Sequence, residues 1–459
     1  MTAPPPGGAA GVLRSSRVVL PGGERPACVV VREGRIAAVE PWNAPLEVTA
    51  ELGGLALLPG LVDTHVHVNE PGRTEWEGFR TATRAAAAGG ITAIVDMPLN
   101  SIPATTDAGA LRAKVRAMTG QLHVDVGLWG GVVPGNVAAI GPLAAAGALG
   151  FKCFLSPSGV PEFGHVSAAD LRAAAPAIAA LGLPLLAHAE DPARLAPLPA
   201  STRRHADWLA SRPPAAEASA IDTLAALALA SGLHVHVVHV ASRAALEAIA
   251  RARAAGVRMS AETCPHYLTF AADAIPDGAT AFKCAPPIRD PAERAALARA
   301  VIAGALELVA SDHSPAPAAL RDPARGDFAR AWGGIASLEL AMAATWTALE
   351  PLGATLATLA TRLAAAPAAL AGLEGRKGAI VPGRDADLVA FDPDARFTVD
   401  PTALHQRHPL TPYGGMTLRG LVRATWLRGR RVFADGECLP GASGRWLRRG
   451  ADAADPEAT

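Results

Sequence analysis

The chain has 459 residues, half of them hydrophobic, with 42 Lys plus Arg against 42 Asp plus Glu and a formal net charge of zero at pH 7. That balance gives no bulk attraction to nucleic acid or to an anionic membrane and suits a small neutral or weakly charged substrate. The five cysteines, Cys28, Cys153, Cys264, Cys284 and Cys438, lack a CxxC spacing, which argues against a disulfide framework and for a reducing cytoplasm.

Residues 1–10 are rich in Pro, Gly and Ala without a basic stretch leading into an apolar core, so a frayed tail is expected and not a secretory signal. No stretch reaches about 18 uninterrupted apolar residues, so no membrane span is expected. Short β-rich runs at 17–20, 27–32 and 35–39 alternate with Pro21-Gly22-Gly23 and Glu33-Gly34 turns. The same texture returns at 385–392 and 427–437, which predicts one small β domain built from both chain ends, 1–56 and 375–440. Residues 441–459 read as a flexible tail.

The middle, 57–374, alternates apolar runs with alanine-rich segments. Strands are predicted at 57–67, 91–97, 123–130, 150–155, 184–190, 234–241, 257–263 and 306–312, with helices at 168–181, 217–231 and 291–305 between some of them. Eight such strands predict an α/β fold of the TIM-like (β/α)8 barrel type, whose chemistry sits at the C-terminal ends of the strands.

Those ends carry the polar residues. His65 and His67 alternate along one strand and so share a face. Alone, that pair is equally a pair of half-buried structural histidines. It gains partners in Lys152, His188, His239 and Asp312, each near the end of a different predicted strand. An ammonium repels a metal ion, but a lysine that adds carbon dioxide presents a carbamate able to bridge two cations; alone, Lys152 reads as a snorkelling side chain.

Other conspicuous residues read as structural, except His313, which reads equally as structural or as a support to the ligands. His234 and His236 have the opposite parity to His239 and are expected to face the surrounding helices. Thr74 and Glu77 have capping-box spacing and are expected to start a helix. His313 should point away from its neighbour Asp312. Gly89-Gly90 is expected to be a turn, since no phosphate-loop spacing surrounds it. Cys153 reads as an inert core thiol.

The stretch Asp-Thr-His-Val-His-Val-Asn-Glu-Pro-Gly-Arg-Thr-Glu-Trp-Glu-Gly-Phe at 63–79, with Asp-Met-Pro-Leu-Asn-Ser at 96–101 and Gly-Arg-Asp-Ala-Asp-Leu-Val at 383–389, resembles the cyclic amidohydrolases of the amidohydrolase superfamily, nearest to the allantoinases. The resemblance implies a binuclear metal hydrolase in which His65, His67, carboxylated Lys152 and Asp312 hold one divalent ion and Lys152, His188 and His239 the other. Zinc suits the imidazole and carboxylate donors first, with cobalt, manganese, iron or nickel also suited. Asp312 would move the proton between water and the leaving ring nitrogen.

The resemblance further implies hydrolysis of allantoin to allantoate in purine breakdown by a cytoplasmic homotetramer. Hydantoinase, dihydropyrimidinase and dihydroorotase-like activities are the alternatives. A non-catalytic scaffold is disfavoured because all six ligand positions are filled. Dihydroorotases resemble this chain in the first barrel strand but carry Arg where it has Asn69, so a carboxylate-free substrate is expected and Asn69→Arg is expected to begin admitting dihydroorotate. Asn69, Asn100, Cys284 and Ser314 are the expected substrate contacts.

Overall fold

The computed structural model describes residues 11–441 and 443–449. Val-rich runs of the N-terminal stretch form β1 (Val12–Leu20), β2 (Gly23–Arg32), β3 (Arg35–Pro41), β4 (Ala50–Glu51) and β5 (Ala56–Pro59). β1 to β3 are successive antiparallel neighbours, whereas β5 runs parallel to β1. The run expected as one strand at 57–67 is in fact two. It breaks at Gly60, and Leu57 and Leu58 belong to the terminal β sheet. The barrel strand β6 (Leu61–Val66) starts only after the break. Two elements converge there: Gly60 donates its N–H to Asp387 O, and a β-carbon on it would lie 2.9 Å from that of Asp387.

The barrel continues through β7 (Ile91–Asp96), β8 (Asp125–Leu128), β9 (Gly130–Gly131), β10 (Phe151–Phe154), β11 (Leu185–His188), β12 (Val235–Val237), β13 (Met259–Thr263) and β14 (Leu308–Val309). β8 and β9 are one barrel strand interrupted at Trp129: β8 pairs with β7, and β9 with β10. Pairing is parallel throughout, and the ring closes where Val66 bridges His313 and His67 N–H donates to His313 O at 2.8 Å. The fold is thus the expected (β/α)8 barrel beside a sheet domain.

The predicted helices form as Ala168–Ala180, Pro214–Ser231 and Pro291–Ala303. Ser167 and Asp170 make a capping box, and Asp290 caps a helix that begins with Pro291. Thr74 and Glu77 do not cap one. The next helix, Phe79–Ala88, starts from Gly78 without a side-chain cap, and buried Glu77 instead accepts from Arg407 N–H at 3.1 Å and faces His313 Nε2 at 3.4 Å. Gly90 turns the chain into β7 with φ +80°, as a turn glycine should.

After the barrel come β15 (Leu388–Thr398), β16 (Thr417–Leu427), β17 (Arg430–Ala434) and β18 (Glu437–Cys438). They complete a nine-stranded sheet ordered β18-β17-β16-β15-β5-β1-β2-β3, with β4 beside β1. Both chain ends therefore share one sheet. The tail expected to be loose from 441 is not loose over 443–449: Leu447 is buried, its N–H donates to Val126 O, and Trp446 bridges Val126. The frayed tail expected at 1–10 and the last residues from 450 lie outside the described residues.

One buried ion cluster ties these parts together. Lys377 Nζ lies 2.6 Å from Asp125 of β8, 2.6 Å from Asp387 and 2.9 Å from Asp385, and Arg428 reaches Asp125 as well. Burial alone would raise the Asp125 carboxyl, but Lys377 and Arg428 outweigh it and hold it below its ordinary value, whereas burial wins at Asp387 and raises it. No helix among the described residues is long and apolar enough to cross a membrane.

Candidate metal centre and cleft

Six polar side chains predicted from the strand ends converge at the mouth of the barrel. His65 is in β6, His67 just beyond it, Lys152 in β10, His188 last in β11, and His239 and Asp312 follow β12 and β14. His65 Nε2 and His67 Nε2 lie 3.1 and 3.5 Å from Asp312 Oδ1, close enough for one cation among them. His188 Nδ1 and His239 Nε2 are 3.0 Å apart, and the His65 and His239 rings are 5.5 Å apart centre to centre. Two donor groups therefore face each other across a short gap.

Lys152 is wholly buried, its Nζ has no hydrogen-bond partner among the described residues, and it lies 5.0 Å from the Phe154 ring. Burial lowers its amine to about 8. Burial, then Lys152, His239 and His67, pushes the His65 imidazole well below its ordinary value; burial, then His188 and Lys152, does the same to His239. Neutral imidazoles, a carboxylate and an unpartnered amine are what a binuclear site with a carboxylated lysine requires, so the residues present fit such a group.

The backbone is strained where it aims these groups. Asn69, Asn100, His239 and Asp312 have φ of +67°, +64°, +41° and +47°, a region L-residues enter at a cost of roughly 1–3 kcal/mol each. The positive φ at His239 also breaks strand alternation, which explains why the parity argument for His234 and His236 failed. His236 is in register with Leu186, which is in register with Lys152, so His236 faces the barrel interior and not the helices. There its Nε2 is 3.1 Å from Glu262 Oε2, while Glu262 Oε1 is 2.5 Å from His65 Nδ1. Below it, Ser260 Oγ is 2.8 Å from both His236 Nδ1 and His234 Nε2.

Sequence reasoning missed Glu262, although a carboxylate at the end of a barrel strand was a usable signal. It also missed Glu190, which lies 2.7 Å from His188 Nε2 and is bound in turn by Arg212. Both carboxylates fix a histidine ring so that its other nitrogen faces the centre. His313 is structural, its Nδ1 accepting from the N–H groups of Ser337 and Leu338. Cys153 is a core thiol that burial pushes up to about 12.

Above the centre opens a cleft of about 350 Å³. Asn100, Cys284 and Ser314 line it, but Asn69 does not. Asn69 is fully buried behind the wall, its Nδ2 3.5 Å from Pro315 O and its Oδ1 unpartnered. Trp208, Trp332, Arg212, Lys283 and Arg330 also line the cleft, and none was anticipated. Burial, then Arg212 and Arg321, lowers the Lys283 amine to about 8. The cleft is thus not short of cations, so the absence of Arg at 69 does not by itself exclude an anionic substrate.

The amidohydrolase family model matches residues 56–432. The chain is 51% identical to an allantoinase of Streptomyces avermitilis over 95% of its length and 98% of that protein. It is 40% identical to the allantoinase of Saccharomyces cerevisiae, covering 92% of this chain and 95% of that one. Among solved structures, the L-hydantoinase (dihydropyrimidinase) from Arthrobacter aurescens superposes with a TM-score of 0.90 at 29% identity, over 96% of this chain and all of that one. With two facing donor groups at the mouth of a (β/α)8 barrel and relatives matched end to end, the chain belongs to the amidohydrolase family, and within it to the allantoinases.

Proposed function

We propose that the protein hydrolyses the ring amide of allantoin to allantoate, as a cytoplasmic homotetramer carrying two divalent ions, zinc by preference, bridged by carboxylated Lys152. The observation that supports the metal reading is the cluster of His65, His67 and Asp312 facing the His188–His239 pair, with Lys152 Nζ buried and unpartnered near both. Bound there, the ions would supply Lewis acidity to the amide carbonyl and lower the pKa of water.

The chain's own residues do the rest. Glu262 and Glu190 hold His65 and His188 by one ring nitrogen each, so neither ring turns away from the centre. Asp312, which lines the cleft, takes the proton of the attacking water as the C–O bond forms. It returns that proton to the ring nitrogen as the C–N bond breaks, so the charge on the carboxylate is restored each cycle. Asn100 and Ser314 offer polar groups to the ring amide and the ureido arm, and Trp208 and Trp332 wall the cleft with apolar rings.

Turnover of allantoin, hydantoins, dihydrouracil and dihydroorotate, compared at equal concentration on metal-loaded protein, tests the reading. Allantoin is expected to have the highest kcat/KM. Faster opening of hydantoin or dihydrouracil would move the protein to the activity named for its structural neighbours.

A further inference from the structure

Beside the centre lies a second cluster, two of whose three residues the proposed reaction does not use. Cys264 follows β13 and caps the short helix Pro265–Thr269, which carries His266. One donor atom from each of Cys264, His266 and Asp312 falls within 4.8 Å of the other two. Cys264 and His266 are both 0% exposed, and neither ring nitrogen of His266 has a hydrogen-bond partner among the described residues. A buried imidazole with both nitrogens unsatisfied is costly and calls for a ligand.

We propose that Cys264, His266 and Asp312 form a second cation site, for thiophilic divalent ions such as cadmium, or zinc in excess, that shares only Asp312 with the neighbouring centre. One sulfur, one imidazole nitrogen and one carboxylate oxygen form a three-ligand set of the kind such ions take, with a fourth position for water. Tetrahedral donors at ordinary bond lengths stand roughly 3.4–3.7 Å apart, so the cluster needs to contract by about 1 Å. On binding, the Cys264 S–H bond breaks, the sulfur–metal bond forms and one proton leaves to solvent, with no change of oxidation state. Because Asp312 is drawn toward the new ion, occupancy inhibits turnover. This last consequence rests on the reading of Asp312 given above, whereas cation binding does not.

The test titrates the metal-loaded enzyme with cadmium chloride while following cadmium–thiolate ultraviolet absorption, retained resident metal and turnover. The expected result is absorption that saturates at one cadmium per chain, with resident ions kept and turnover falling in step. Cys264→Ser is expected to abolish the absorption, and His266→Asn to weaken cadmium binding by at least about tenfold. Should Cys264→Ser misfold, His266→Asn still decides the matter, since it leaves every thiol in place. No thiolate absorption with cadmium in excess, the same absorption in Cys264→Ser, or unchanged affinity in His266→Asn would overturn the proposal. Absorption that depends on Cys264 without inhibition would uphold the site and count against the proton-transfer role of Asp312.

Discussion

Under the proposed reading, replacing Lys152 by Ala removes the group that joins the two donor sets. The environment of Lys152 allows a rate argument as well as a loss argument. Carbamate formation needs the neutral amine, and burial lowers Lys152 from 10.5 to about 8. At pH 7.5 about a quarter of such amines are neutral, against about one in a thousand for an unperturbed lysine, a gain of roughly two hundredfold in the reactive species. Metal-free wild-type protein given zinc in carbon-dioxide-free buffer should therefore regain activity slowly, and added bicarbonate should speed it. The neutral fraction is about half at pH 8 and about nine-tenths at pH 9, so the rate should climb from pH 6.5 through 8 and level only near pH 9. Lys152→Ala should retain less metal and lose at least about a thousandfold in kcat, the scale of removing a group that stabilises developing charge. Short carboxylic acids should restore part of that activity by standing in for the carbamate. Full metal content with wild-type turnover in Lys152→Ala, or reactivation indifferent to bicarbonate, would refute the bridging role.

Asp312→Asn keeps an oxygen at the centre but removes the base, so kcat should fall by about 10²–10⁴ while part of the metal remains; a chelator should silence the wild type, and chelated protein that stayed fully active would refute both roles. Lys377→Met leaves Asp125, Asp385 and Asp387 buried around one fewer cation and should cost about 3–5 kcal/mol in urea unfolding. Asp125 is depressed in the fold, so its contribution is present above its unfolded value of 3.8 and lost as pH falls through the lowered one; without Lys377, acid unfolding should begin at higher pH, and an unchanged acid limb would refute this account. Asn69→Arg places a cation in a buried position at φ +67° and should cost about 3 kcal/mol or more, whereas Asn69→Gly should stay folded; a stable Asn69→Arg enzyme that opens dihydroorotate would restore the specificity role withdrawn above.

The six converging residues were legible because each stands at the end of an apolar run, where the barrel rule sends it to the mouth. Strand parity was the weaker tool. It placed His236 on the wrong face, because the positive φ at His239 shifts the alternation there. Asn69 was misplaced for a related reason, since a left-handed residue two positions beyond His67 turns the side chain into the wall, away from the cleft. Lys283, Arg330 and Trp332 lie in connecting segments and Trp208 in the short helix His205–Ser211, all placed by packing and not by any period in the sequence, so nothing local marked them as cleft residues. Gly60 hid the break between β5 and β6 inside what reads as one apolar strand.

The sheet shared by the two chain ends sets an order on synthesis. β5 has β1 on one side from the start, but its other neighbour, β15, pairs Leu388 with Pro59 and leaves the ribosome only after the whole barrel has been made. At about 5–20 residues per second that wait is roughly 15–70 s, during which Leu57 and Leu58 sit on an open strand edge of the kind that recruits other chains. A nascent chain of this protein thus keeps that edge open while every residue of the metal centre, from His65 to Asp312, is being made. A premature stop just before residue 388 would spare every group in the metal centre and still leave the protein with an uncovered edge along β5.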